Sequence, residues 1–414
     1  MTEATGSAAR DAADAVARRS YGRLIAFLAA RSGDVAAAED ALSGAFAKAL
    51  EDWPRNGCPD NPEGWLLTVA RRKVIDAARR TGAAEAAVGQ LRIMAEGLDA
   101  AAADPDIPDR RLALLFACTH PAIDAAIRAP LMLQAVLGLD ARTIAAAFLT
   151  SPAAMGKRLG RAKEKIRRAG IPFIIPEREE LAGRLEAVLD AIYAAFAEGW
   201  GDPGGTDPAR RELTGEALFL AGLVSELLPG EPEALGLRSL LLHVEARRRA
   251  RRDAAGEYVP LAEQDQVRWD SGMIDAAEAL LLRAGGMGRI GRFQLEAALQ
   301  SAHVHRRRTG EDNWSEVVRL YDALLELSAS PVVAINRALA IAEVSGPGAA
   351  LREMPDPGDA RFREYQPYWA ARAELLTRSD AREEAHDAYD RAIGLQPDPA
   401  ARRFLQRRQK ALGI

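Results

Sequence analysis

The segment Gly138–Lys163, GLDARTIAAAFLTSPAAMGKRLGRAK, decides the fold of this 414-residue chain. It predicts a helix over Ala141–Phe148, a short turn, and a second helix that begins after Ser151. Ser151 is a good N-cap, and Pro152 is a good first helical residue because the N–H that it lacks has no helical partner at that position. Apolar residues at helical spacing give the second helix an inward stripe of Met155, Leu159, Ala162 and Ile166.

The other faces of this second helix are cationic. Two helices joined by a tight turn, with the second apolar inside and basic outside, have the form of a helix-turn-helix that enters the major groove of DNA. Arginine and lysine bind phosphates or guanine edges, and the sequence does not distinguish the two roles. A basic helix packed in a bundle is the alternative. The predicted DNA contacts of this segment are Ser151, Ala153, Ala154, Lys157, Arg158, Arg161 and Lys165.

Across the whole chain, alanine and leucine dominate and strand-type alternation is nearly absent, which predicts an all-α fold. With 48% hydrophobic residues the chain is not disordered, and no apolar run approaches the roughly 20 residues of a membrane helix. The formal net charge of −4 conceals local basic clusters, which govern contact with phosphates. Cys58 and Cys118 cannot by themselves form a disulfide framework or a zinc site. We therefore expect a soluble, cytoplasmic protein of two to four domains.

The first 80 residues contain two more amphipathic helices. Asp34 or a neighbouring acid is expected to begin the first helix, and Pro54 is expected to end it. The apolar face of this helix comprises Leu42, Phe46, Ala49, Leu50 and Trp53. Pro62 is expected to begin the second helix, for which a solvated basic face is the alternative to nucleic-acid contact. Its basic cluster comprises Arg71, Arg72, Lys73, Arg79 and Arg80.

Two motifs lie in the first block and one in the second. They are residues 38–46, AEDALSGAF, residues 61–80, NPEGWLLTVARRKVIDAARR, and residues 112–121, LALLFACTHP, which continue to the AKEKI of 162–166. In this order, and separated by a short linker, they resemble regions two and four of bacterial RNA polymerase sigma factors of the extracytoplasmic-function type (group 4).

The resemblance implies promoter recognition without covalent chemistry or a cofactor. The expected partners are promoter DNA and core RNA polymerase, through its β′ clamp and its β subunit. Trp65–Arg80 matches the part that reads and helps to melt the −10 element, and Ser151–Lys165 matches the −35 reader. The residues that match the polymerase-binding helix of the family are Asp40, Leu42, Ser43 and Phe46.

At three positions this chain differs from many relatives. The chain has Ser43-Gly44 where they carry Gln-Glu, and Arg72 where they carry Asn. A glycine inside a helix costs roughly 0.5–1 kcal/mol. We therefore expect a weaker polymerase contact than in ordinary relatives.

The C-terminal half extends beyond the length of such sigma factors. It resembles the extension of a sigma-factor subgroup with tetratricopeptide-like repeats, which pair two helices over about 34 residues. The matching positions are Trp369, Ala373, Ala385, Tyr389, Ala392 and Pro397, echoed by Ala338 and Ala350 and by Val317, Tyr321 and Leu324. The expected organisation is region two (1–80), a linker (81–109), region four (110–170), a connector (171–180), a helical extension domain (181–289) and degenerate repeats (290–414).

Three functional hypotheses follow from these patterns. The first is a sigma factor regulated in cis by its extension, whose repeats would bind a protein or peptide partner. The second is a DNA-binding regulator or scaffold with a helical-repeat sensor that does not recruit polymerase. The third, an enzyme with a site at His243, Glu245, Asp265 and Arg268, is disfavoured because no catalytic motif is present. No metal site is expected at His303 and His305, which point in different directions on a helix, and Cys118 and His120 are expected to pack in the core. No membrane partner is expected.

Overall fold

The computed structural model describes residue 16 and residues 20–80, 110–148, 150–200, 208–328, 330–359 and 362–413, with the side chains of 74–80, 146–147, 178 and 208–212 outside the description. Within these ranges the chain is helical and forms no strand, apart from one isolated bridge between Arg252 and Tyr258. The predicted all-α fold is confirmed. Of the helices in these ranges, none is long and apolar enough to cross a membrane. The predicted linker 81–109 lies outside the described residues.

The chain divides into two compact units. Unit 1 comprises residues 1–201 and 208–217, and unit 2 comprises residues 202–207 and 218–414. The described helices of unit 1 are α1 (20–32), α2 (Val35–Asn56), α3 (Pro62–Arg80), α4 (Arg111–Cys118), α5 (Ala125–Leu137), α6 (Ala141–Ala147), α7 (Pro152–Arg168) and α8 (Arg178–Trp200). Helix α9 (Pro208–Leu227) begins in unit 1 and ends in unit 2.

Helix α2 begins as predicted and ends two residues later than predicted. The Asp34 carboxylate accepts a hydrogen bond from the Ala37 N–H at 3.0 Å, which caps the helix. Pro54 lies inside the last turn, and α2 continues to Asn56; the following residue, Gly57, has a φ of +86°, which an L side chain rarely adopts. Leu50 was expected on the buried face but is 46% exposed. It lies at the edge of the stripe, because the buried residues follow the rows of Leu42, Ala45, Ala49 and Trp53.

Helices α4 and α5 form the centre of unit 1. Every residue of α4 from Leu112 to Cys118 is buried, as expected for a helix that is apolar on all sides. Helix α8 packs against both α4 and α5. The Arg184 side chain on α8 donates a hydrogen bond to the Phe116 carbonyl at 2.9 Å. The first helix after the predicted region four is therefore part of the core of unit 1.

Unit 2 continues with α10 (Pro232–Glu245), α11 (Ser271–Gly285), α12 (Arg292–Thr309), α13 (Trp314–Ser328), α14 (Pro331–Ser345), α15 (Pro347–Glu353), α16 (Gln366–Arg378), α17 (Arg382–Leu395) and α18 (Pro399–Lys410). Single turns of 3-10 helix lie between α10 and α11 at Arg248–Ala250, Leu261–Glu263 and Gln266–Arg268. Helix α10 packs against both α11 and α12.

The backbones of α10 and α12 lie so close together at position 236 that the residue there must be a glycine. A Cβ there would lie 2.7 Å from the Gln294 backbone nitrogen. We expect Gly236→Ala to lower the free energy of unfolding of unit 2 by about 1–2 kcal/mol, since overpacking costs more than the better helix propensity returns. Gly394→Ala on α17 is the matched control, because nothing lies within 4 Å of its Cβ. Hydrogen exchange of α10 amides, read by mass spectrometry, measures the difference; equal protection in the two variants would contradict it.

Each of the last helices of unit 2 packs against the next helix along the chain. Helices α16 and α17 share one apolar cluster. The positions of the tetratricopeptide pattern are buried there, apart from Pro397, which is exposed. The assignment to that repeat family stays a prediction. Helix α18 also contacts the turn before α11: Arg252 pairs with Asp398, and the rings of Tyr258 and Phe404 lie 5.4 Å apart edge to face.

Candidate nucleic-acid interface

Helices α6 and α7 form two packed helices joined by a short turn. The Asp140 carboxylate accepts a hydrogen bond from the Thr143 N–H at 2.7 Å at the start of α6. The Ser151 hydroxyl accepts one from the Ala154 N–H at 3.2 Å at the start of α7, as the sequence predicts. Helix α6 ends at Ala147, one residue before the predicted end. Both helices rest on α5.

The predicted apolar stripe of α7 is buried against unit 1. Met155, Leu159, Ala162 and Ile166 are at most 5% exposed. On the other faces of the helix, the four predicted cationic contacts are all exposed: Lys157, Arg158, Arg161 and Lys165. Helix α7 therefore presents a basic surface to solvent while its apolar stripe holds it in place.

Neighbouring groups set the charge of this surface. The Arg158 guanidinium donates to the Ala126 carbonyl at 3.3 Å, which anchors one edge while the side chain stays exposed. At the other end of α7, hydrogen bonds from Arg167 and Arg168 lower the pKa of the Glu164 carboxyl to about 2. Glu164 is therefore ionised at neutral pH and offsets part of the charge of those two arginines. Of the remaining predicted contacts, Ser151 and Ala153 are exposed and Ala154 is half-buried.

One lysine of α7 points inward. Lys163 is 8% exposed and pairs with Glu39 on α2. Burial raises the pKa of the Glu39 carboxyl, and the charge of Lys163 opposes that rise. Position 163 borders the buried positions 159, 162 and 166 on the helix, and Glu39 of α2 supplies the partner for its charge.

The predicted −10 reader is only partly described. Trp65 on α3 is half-buried, with its ring 5.6 Å from that of Trp53 and edge to face. Arg71 is half-buried, whereas Arg72 and Lys73 are exposed. The side chains of Arg79 and Arg80 lie outside the described residues.

The four predicted polymerase contacts on α2 differ in exposure. Asp40 and Ser43 are exposed and Phe46 is half-buried, so their side chains reach the surface. Leu42 is fully buried, so its side chain belongs to the core of unit 1 and does not reach a partner in this structure. Its position on the same helical row as Ala38 and Ala45 explains that burial.

The glycine at position 44 has a structural reason. A Cβ at Gly44 would lie 2.6 Å from Cε of Lys73, so the lysine stem crosses α2 where a side chain would otherwise stand. The absence of a side chain at 44 thus allows Lys73 of α3 to lie against α2.

The four residues of the enzyme hypothesis have separate surroundings in unit 2. Glu245 pairs with Arg248 at 2.7 Å, Asp265 caps the turn at Val267, and Arg268 donates to the Arg252 carbonyl. The imidazole of His243 instead faces Glu278, with Nε2 and Oε1 3.5 Å apart. Glu245 and Asp265 thus make contacts within their own segments, whereas Arg268 and His243 face other segments of unit 2.

The structure also shows the surroundings of Cys118 and of the other histidines for which the sequence makes a prediction. His303 accepts from Arg306, and His305 contacts Glu311, so the two rings have different partners. Cys118 is buried, as expected, whereas His120 is half-buried. Among the described residues, one group has side-chain atoms close enough to hold a metal ion: His386, Asp387 and Asp390 on α17, two of them exposed.

The amino-acid sequence is similar to a known protein family and to a protein of another organism. Residues 16–84, which include α1–α3, match a family model described as Sigma-70 region 2. A protein of Rhizobium meliloti (strain 1021), named Uncharacterized protein R00370, is 39% identical over 378 residues, which are 89% of this chain and 88% of that protein. The chain belongs to the family of this Rhizobium protein. Its sigma-70 region 2 supports the role of an RNA polymerase sigma factor and implies binding to core RNA polymerase and promoter DNA.

Residues 184–285 match a family of unknown function, DUF6596. This match begins inside α8, in unit 1, and ends with α11, in unit 2. Neither of these two matches covers residues 110–170, so region four stays a prediction. No solved structure matches the chain.

Proposed function

We propose that this protein is an alternative sigma factor of the extracytoplasmic-function type, which directs promoter-specific initiation by core RNA polymerase in the cytoplasm. The proposal rests on helix α7, which is apolar on the side that faces the rest of unit 1 and basic on its exposed faces. Its apolar stripe is buried, and Lys157, Arg158, Arg161 and Lys165 are exposed in the same chain as a sigma-70 region 2. A helix of this form after a short turn fits the major groove.

In this proposal α7 reads the −35 element and α3 the −10 element. Melting of the DNA duplex at the −10 element requires positive charges that bind the displaced strand and surfaces on which the unstacked bases can pack. Arg72 and Lys73 supply exposed cations, and the half-buried ring of Trp65 lies on the same helix. The polymerase-binding surface is the exposed part of α2, at Asp40, Ser43 and Phe46, facing the β′ clamp. The chain itself performs no catalysis and needs no cofactor for this role.

Replacing two exposed arginines of α7 tests the −35 assignment. We expect the double variant Arg158→Ala/Arg161→Ala to lower the promoter affinity of holoenzyme about 100-fold, since each arginine contact to a base edge contributes about 1–3 kcal/mol. Fluorescence anisotropy with labelled promoter measures it. A matched control removes two exposed arginines of unit 2, Arg319→Ala/Arg382→Ala, whose side chains are 71% and 58% exposed. Equal losses in both variants would refute base reading by α7.

Run-off transcription with purified core polymerase on a genomic promoter library tests the proposed function as a whole. We expect transcripts with defined start sites only when the chain is added. DNA binding without any start-site choice would favour the second hypothesis, a regulator that does not recruit polymerase.

We further propose that the C-terminal extension acts in cis on this activity. Helical repeats offer concave surfaces for a protein or peptide partner, and the extension either covers the DNA-binding surfaces or supports them. The appropriate truncation ends at Gly201, because α8 belongs to the core of unit 1 and a cut after Gly170 would expose α4 and α5. More transcription after truncation would indicate that the extension covers the DNA-binding surfaces. Less transcription would indicate that the extension supports them.

A further inference from the structure

In unit 2, arginine side chains collect where residues 243–252 pack against α12. Ala246 and Ala250 of the first segment share an apolar cluster with Val304 of α12. Three polar residues of each segment lie beside this apolar contact, at helical spacing along their own segment: His243, Arg247, Arg251, Gln300, His303 and Arg307. We call this group the arginine cluster.

Two arginines of the cluster donate hydrogen bonds to neutral oxygens. Arg247 Nη2 donates to the side-chain oxygen of Gln300, and Arg247 Nε donates to the His243 carbonyl at 3.2 Å. Arg307 lies two turns along α12 from Gln300 and donates to the Gln264 carbonyl at 2.9 Å. The Nε atom of Arg307 is buried and has no hydrogen-bond partner among the described residues. The hydrogen bonds of these two arginines therefore leave their charges without a negative partner.

Other arginines of the same region do have acidic partners. The pairs are Arg248 with Glu245, Arg252 with Asp398, and Arg308 with Asp275. Within the part of the chain that the structure describes, no carboxylate pairs with Arg247 or Arg307. The lack of an acid is thus specific to these two positions.

The charge of Arg247 persists at neutral pH although protein surrounds the side chain. Burial, reinforced by the charge of Arg251, lowers the pKa of Arg247 to about 10, so the guanidinium stays protonated. Burial and the charges of Arg306 and Arg247 lower the pKa of His303 to about 4, so this imidazole is neutral. A partly buried cation without a counter-ion is costly, and an orphaned donor in a folded protein calls for a bound water or ion.

We propose that the arginine cluster binds a small phosphate-bearing anion, which supplies the acceptors that Arg247 and Arg307 lack. A guanidinium presents a planar fork of donors that matches two phosphate oxygens, and a phosphate has enough oxygens for two such forks. Both arginines are half-buried, so each keeps some surface that a small ligand reaches. The inference is independent of the proposed sigma-factor function, because every residue of the cluster lies in unit 2.

Equilibrium dialysis of the full chain against radiolabelled inorganic phosphate, at constant ionic strength, tests the proposal. We expect one phosphate per chain, with half-saturation at about 1 mM or below. The double variant Arg247→Gln/Arg307→Gln should bind at least about tenfold more weakly, since it loses two charge-assisted contacts. Arg319→Gln/Arg382→Gln is the matched control, because it removes two arginines of unit 2 that are 71% and 58% exposed. This control should bind phosphate as the wild type does.

Two single variants keep the test decisive if the double variant does not fold. Arg247→Lys and Arg307→Lys retain the positive charge but lose the fork, so each should weaken phosphate binding about threefold or more. Competition then identifies the source of the phosphate group. Displacement of the label by unlabelled phosphate and by glycerol 3-phosphate at equal concentration supports a site for the phosphate group alone. Displacement at lower concentration by glycerol 3-phosphate supports a phosphate monoester as the ligand.

Three results would overturn the proposal. They are no binding by the wild type at about 10 mM phosphate, binding that the arginine variants leave unchanged, and displacement by acetate at the concentration at which phosphate itself displaces. The last result would show a site for anions in general. None of them bears on promoter-specific transcription, so the proposed function stands or falls separately by the run-off assay.

Discussion

Replacing Lys163 with alanine should lower the free energy of unfolding of unit 1 by about 3 kcal/mol. Removal of one partner leaves the Glu39 carboxylate in a site where its side chain is 15% exposed, and an uncompensated charge there costs about 3–5 kcal/mol. The lower end applies because both side chains keep some contact with water, which reduces the cost of the remaining charge. Hydrogen exchange of peptides from α2 and α5 measures the loss.

Lys48→Ala is the control for this experiment. Lys48 also pairs with a glutamate, Glu51, at 3.1 Å, but the two side chains are 53% and 66% exposed. Such pairs contribute less than about 1 kcal/mol. Double replacement by Lys163→Met and Glu39→Gln should recover most of the stability, since neither remaining group is charged. A Lys163→Ala variant as stable as Lys48→Ala would show that the α2–α7 pair is absent in solution.

Acidification should destabilise unit 2 through His243. Burial, reinforced by the charges of Arg247 and Arg308, lowers the pKa of this fully buried imidazole to about 4, and neither ring nitrogen has a hydrogen-bond partner. In the unfolded chain its pKa is about 6.5. Between pH 6.5 and 4 the unfolded state therefore binds a proton that the folded state does not. Above pH 6.5 the free energy of unfolding keeps the full contribution of the neutral imidazole. As the pH falls from 6.5 to 4, the free energy of unfolding decreases by up to about 3 kcal/mol for this reason.

The comparison of His243→Leu with wild type isolates this contribution from the carboxylates that also titrate in acid. We expect α10 amides of wild type to lose protection between pH 7 and pH 5 to a greater extent than those of the variant. His305→Gln is the control, because His305 is 53% exposed and should leave the profile of wild type unchanged. Parallel profiles for wild type and His243→Leu would contradict the pKa of about 4.

Local patterns were sufficient to predict the two-sided helix α7. The apolar stripe, the Ser151 cap and the four exposed cations all follow from residues within one helix and its turn. The burial of Lys163 did not follow, because it depends on Glu39, which is 124 residues away in the chain. The burial of Leu42 likewise depends on which row of α2 faces the core.

Contacts between distant segments explain the other differences. Gly44 was interpreted as a weak point of α2, and the structure shows that it accommodates Lys73 of the next helix. Helix α8 follows the predicted connector, yet it packs into unit 1, since α4 and α5 require apolar cover. Arg252 and Asp398, 146 residues apart, pair across unit 2. No periodicity within a segment contains such information.

In the proposed function, two separate parts of this chain contact two promoter elements, with α7 on the upstream one. Hydroxyl-radical footprinting of the holoenzyme at its mapped start sites measures both contacts at once. We expect two protected patches about 25 base pairs apart, of which Arg158→Ala/Arg161→Ala loses only the upstream one. A single protected patch, or an upstream patch that survives the loss of both arginines, would contradict the account.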